Sequence, residues 1–120
     1  MNQYSTMISE FLQTCGHAQK EFVSESEWWI VSGSVKVQIF LTNLEESAEL
    51  VVAANLFKYA EENTHVNSYV LKLNGTLKLK GVSFGIRNGH VILSYIRPVT
   101  GLDPEELEWI IANIALQAAS

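Results

Sequence analysis

Cysteine is nearly absent. Cys15 stands alone among 120 residues, so no internal disulfide can form and the chain suits a reducing compartment. Bases are scarce as well. Eight Lys and Arg against 13 Asp and Glu leave a formal net charge of −5, which argues against a phosphate-backbone partner. No stretch approaches the roughly 18 apolar residues that a membrane span requires. The first twenty residues lack a basic cluster and Glu10 interrupts their apolar stretch, so no signal peptide is expected. Leu12-Gln13-Thr14-Cys15 has the shape of a lipoprotein cleavage site, but no hydrophobic run precedes it. Asn74-Gly75-Thr76 matches a glycosylation acceptor that has no meaning without export. These absences place the expected location in the cytoplasm, with neither nucleic acid nor membrane as a partner. What is present is apolar: 48% hydrophobic residues against 18% charged, the balance of a globular domain. Residues 1–120 make a single domain, and burying about two-thirds of its unfolded surface gives it a core without staples.

Ser5 can cap a first helix whose apolar residues Met7, Ile8, Phe11, Leu12 and Cys15 share one face, with Gly16 as its stop. Gln19, Lys20 and Glu21 read as a linker. Trp28 to Val31 and Val35 to Leu41 read as strands joined through Ser32-Gly33-Ser34. In the second, Val35, Val37, Ile39 and Leu41 alternate with Lys36, Gln38 and Phe40, and Phe40 breaks the polar face. Glu45 to Glu62 fits both periods, and its alanines and glutamates lean towards helix. Thr64 can cap a helix carrying Val66, Tyr69, Val70 and Leu73 and ending at Asn74-Gly75. Leu77 to Arg87 and His90 to Arg97 form a hairpin about Asn88-Gly89, the pair best suited to a two-residue type I′ turn. Asp103-Pro104-Glu105-Glu106 opens a last helix with the stripe Leu107, Ile110, Ile111, Ile114 and Ala118. The order describes an α+β domain over an antiparallel sheet.

Sites of chemistry are few. Cys15 and His17 lie too close in sequence to be placed as a nucleophile and its base, and no acid is positioned to orient them. Cys15, His17, His65 and His90 show no metal-ligand spacing, so no metal or other cofactor is expected. The carboxylate pairs Glu45-Glu46, Glu61-Glu62 and Glu105-Glu106 fall at element ends, the last where acids complement a helix dipole. Gly81, Gly85 and Gly89 make no phosphate-binding loop. Lys72, Lys78 and Lys80 form a small basic cluster without the interleaved aromatics of an RNA binder. No catalytic residue emerges.

Two stretches read together resemble a known family. Tyr69-Val70-Leu71-Lys72-Leu73-Asn74 leads through Phe84-Gly85-Ile86 and Asn88-Gly89 to Val91-Ile92-Leu93-Ser94-Tyr95, and Gly101-Leu102-Asp103-Pro104-Glu105-Glu106-Leu107 follows. This pattern, over about residues 62–120, resembles the YbjN-like family of bacterial sensory transduction regulators, which is similar in fold to type III secretion chaperones. The Trp28-Trp29-Ile30-Val31 strand extends it loosely. The resemblance implies the order αβββαββα, with Glu49 to Phe57 as the third strand. It also implies a non-enzymatic, often dimeric, protein-binding domain.

The expected function is therefore a cytoplasmic protein-interaction domain with a chaperone-like or regulatory role. The alternative is a small-molecule or enzymatic pocket between sheet and helices. The expected interface residues are Trp28, Trp29, Phe40, Trp109 and Leu116. Trp28 and Trp29 are adjacent in a strand and leave on opposite faces, so one enters the core and the other joins the second face. Phe40 lies opposite its strand's main apolar set. On the last helix, Trp109 and Leu116 fall on one line, seven residues apart and nearly opposite the core stripe. Such anchors fit a client or a second copy of the chain.

Overall fold

The computed structural model describes residues 3–16, 19–42, 48–74 and 81–119. Helix α1 (Gln3–Thr14) fully buries Ile8 and Leu12 and half-buries Met7 and Phe11, the stripe its spacing predicts. Ser5 is no cap. The helix already runs from Gln3, and the buried Ser5 hydroxyl donates to the Glu25 carbonyl instead.

The expected linker is a strand, β1 (Lys20–Ser24). Its sequence has no alternation and most of it is exposed, so pairing rather than pattern makes it a strand: Lys20, Glu21 and Phe22 register with Ile30, Trp29 and Trp28 of β2 (Glu27–Ser32). β3 (Val35–Thr42) follows a tight turn at Gly33, which takes a positive φ of 64°. The ambiguous segment contains β4 (Glu49–Lys58), as the resemblance implies and against the helical lean of its composition.

α2 (Thr64–Asn74) is capped one residue earlier than expected: the Asn63 side chain, not that of Thr64, accepts from the Val66 N–H at 3.3 Å. β5 (Ser83–Arg87) and β6 (His90–Pro98) flank Asn88 and Gly89, whose φ values of 51° and 77° suit the type I′ turn. The strand expected from Leu77 begins, among described residues, only at Ser83. α3 (Pro104–Ala118) starts where predicted, with Asp103 accepting from the Glu106 N–H at 2.7 Å.

All pairings are antiparallel, in the order β1-β2-β3-β4-β6-β5. The expected architecture holds, with one strand more: αββββαββα. Directly paired residues share a sheet face. Trp28, Ile39, Val52 and Tyr95 therefore line one face, and Trp29, Gln38, Ala53 and Ser94 the other. The first face carries the core, where Trp28, Ile30, Val37, Ile39, Leu50 and Val52 meet α1 and the Leu107, Ile110 and Ile114 stripe of α3.

Candidate protein-interaction surfaces

The second face lies outside that core. Trp29, Val31, Phe40 and Val51 are half-buried and do not join the core cluster, while Ile96 beside Val51 is 58% exposed. Polar groups hold its rings in place. Trp29 Nε1 donates to Glu21 Oε2 at 2.6 Å, and Lys36 Nζ lies 4.5 Å from the centre of the Trp29 ring. Arg87 reaches from β5 across β6 and β4 to β3, where its Nη2 donates to Gln38 Oε1 at 2.6 Å and its Cζ stands 5.0 Å from the Phe40 ring. Ala53 and Ser94 pair beside Gln38 on this face, and Ser83 of β5 continues their row. An aromatic strip under cationic heads offers apolar contact and charge-assisted hydrogen bonds together.

A second surface runs along α3. Trp109 is 49% exposed and Leu116 65%. Trp109 meets the half-buried Tyr95 edge-on, with ring centres 6.5 Å apart and planes at 81°. Arg97 forms an ion pair with Glu106 and donates to the carbonyls of Pro98 and Thr100, fixing the corner between β6 and α3.

Of the five expected interface residues, the structure removes one. Trp28 is fully buried, its Nε1 donating to Ser9 Oγ at 3.1 Å, because its face of β2 is the one that α1 covers. Trp29 and Phe40 lie together on the open face; Trp109 and Leu116 lie on α3, across the sheet from them.

The sequence reading missed a third apolar area. Tyr69 and Leu71 on α2, Phe57 at the end of β4 and Ile86 on β5 are all exposed, and none of α2 is buried. Tyr69 and Leu73 share one face of the helix while Leu71 lies about 160–200° around from both, so apolar residues stand on opposite sides. That all-round apolar pattern was the available signal. A cleft of about 890 Å³ separates α2 from the C-terminal end of α3, and a smaller one of about 250 Å³ separates it from β5. The two amides of the smaller cleft are engaged, Asn67 with the Ala60 carbonyl and Asn74 with Phe84.

Among the described residues no three His, Cys, Asp or Glu gather as a metal would need. Cys15 is half-buried with its thiol 3.2 Å from the Leu12 carbonyl. His17, Glu45, Glu46, Lys78 and Lys80 lie outside the described residues. No helix among those described is long and apolar enough to cross a membrane.

The sequence matches no family profile and no curated protein. Solved structures do match. The ExsC–ExsE complex aligns with a TM-score of 0.72 at 19% identity, over 97% of this chain and 88% of the other. The HopA1–SchA chaperone–effector complex aligns at 0.70 and 14%, over 97% and 90%. The Yersinia pestis type III secretion chaperone SycH, in complex with a fragment of YscM2, aligns at 0.67 and 17%, over 98% of both chains. At these identities the likeness is one of fold, and this chain has the antiparallel α+β fold of type III secretion chaperones.

Proposed function

We propose that this chain is a non-enzymatic, cytoplasmic protein-interaction domain with a chaperone-like or regulatory role, as the YbjN-like resemblance also implies. It covers apolar segments of a partner polypeptide, with Trp109 and Leu116 as anchors and Trp29 and Phe40 as a second contact area. The carrying observation is the exposure of Trp109 and Leu116, 49% and 65%, on one line of a helix whose opposite side is fully packed. A lone exposed tryptophan is unremarkable, but a Trp and a Leu two turns apart present the spacing of groove anchors. Two of the similar structures are of chaperones holding another polypeptide, which supports the same reading. A homodimer through this line is its second form. The enzymatic alternative has less behind it, since the smaller cleft is lined mainly by Tyr59, Val70, Phe84, Ile86 and Val91 and its amides are already bonded.

Trp109→Glu tests the proposal. The core stripe is untouched, and loss of the Tyr95 contact costs about 0.5–1.5 kcal/mol, so the variant should stay folded. Self-association in a sedimentation concentration series, or capture of the partners that the parent draws from native lysate, should weaken at least tenfold. A folded variant that sediments like the parent and keeps every partner overturns the assignment.

A further inference from the structure

Trp109 and Leu116 stand in a longer line. Glu105, Trp109, Ala112 and Leu116 follow one another at steps of four, three and four, and all four are exposed. They fall within about 60° of one another around the helix axis. That is the alternation of a coiled-coil seam, carried on the outer side of α3. Ala112, small between two large side chains, leaves room there for a facing knob. The backbone of a helix is hydrogen-bonded within itself, so this line offers no strand edge. What packs on it best is a second helix, laying its own ridge along the first.

The charge along this helix has one sign. Residues 103–119 contain Asp103, Glu105, Glu106 and Glu108 and no base. Asp103 serves as the cap and Glu106 is paired with Arg97. Glu105 and Glu108 are exposed and enter no ion pair among the described residues. Glu105 lies in the first turn, where the helix dipole accounts for an acid, but Glu108 lies beyond it. The last turn, where the dipole favours a cation, holds no base. A second copy does not supply what is missing. Laid parallel, it would set acids against acids. Laid antiparallel, it would set Glu105 and Glu108 against a helix end of partial negative charge.

We infer that the occupant of this line is a basic amphipathic helix of a partner polypeptide, an inference that rests on the reading of Trp109 and Leu116 as anchors. Its apolar residues repeat at the same spacing of four and three, and Lys or Arg beside them meet Glu105 and Glu108. Two synthetic peptides test this: one with leucines at that spacing flanked by lysines, and its twin with glutamates in place of the lysines. Each is titrated against the protein by fluorescence anisotropy. The lysine peptide should bind at least tenfold more tightly than its twin. Trp109→Ala should weaken its binding at least tenfold. Glu105→Lys with Glu108→Lys should reverse the preference. Glu61→Lys with Glu62→Lys, in the turn after β4 and with the same change of net charge, should leave it. Glu105→Gln with Glu108→Gln should abolish the preference, and it decides the matter if the reversed chain does not fold. Equal binding of both peptides that still depends on Trp109 overturns this inference and leaves the anchor reading standing. Binding indifferent to Trp109→Ala overturns both. A lysine peptide that does not bind, or that is excluded by self-association through Trp109, overturns the inference too. So does a preference that the changes at Glu61 and Glu62 reverse as readily.

Discussion

Asn88 sits at a φ of 51°, a left-handed conformation that asparagine tolerates and alanine resists. Asn88→Ala should therefore destabilise the β5–β6 hairpin by about 1 kcal/mol. A urea midpoint and slope equal to the parent's would show that the turn does not need the residue. Asp103 is a second local device, accepting from the Glu106 N–H ahead of Pro104. Removing that cap with Asp103→Ala should cost roughly 0.5–2 kcal/mol, read from the same denaturation curves. Both features were legible because each acts within four residues of chain. Ser5 and Thr64 show the limit of that logic. Either side chain is competent to cap, but Ser5 is spent on the Glu25 carbonyl, and Asn63 takes the place of Thr64. Adjacent residues of equal capping ability cannot be ranked without the chain around them.

At the scale of elements, β4 is the instructive case. Its alanines suit a helix in isolation. In the sheet it lies between β3 and β6, with Leu50, Val52 and Ala54 turned to the core and Ala53 fully buried on the other face. Two paired neighbours supply hydrogen bonds that no local propensity competes with. On that other face Arg87 crosses β4 to reach Gln38 and Phe40. Arg87→Ala removes that hydrogen bond and the cation–ring contact and should cost about 1–2 kcal/mol. Unchanged thermal stability would mean that the crossing contributes nothing. β1 reverses the lesson of β4: no pattern announces it, and only the partner strand defines it.

For the whole molecule, the helical layer is what sorts the three tryptophans. Trp28 is fully buried, Trp29 half-buried on the open face and Trp109 half-exposed on α3. Iodide should quench the fluorescence of Trp109 and, more weakly, of Trp29, while a fraction assigned to Trp28 by Trp28→Phe stays protected. Complete quenching would place α1 away from the sheet. By itself the sequence determined the elements whose signals are local: the α3 cap and core stripe, the Asn88-Gly89 hairpin, the alternation of β3 and the opposite fates of Trp28 and Trp29. These follow from backbone sterics and from periods of 3.6 and 2. Tertiary structure alone decided that β1 is a strand, that β4 is not a helix, which tryptophan enters the core and that α2 stands on the surface with Tyr69 and Leu71 exposed. Each of those depends on what lies across space from the residue, on the free energy of pairing or burying it there, and that partner is far away along the chain.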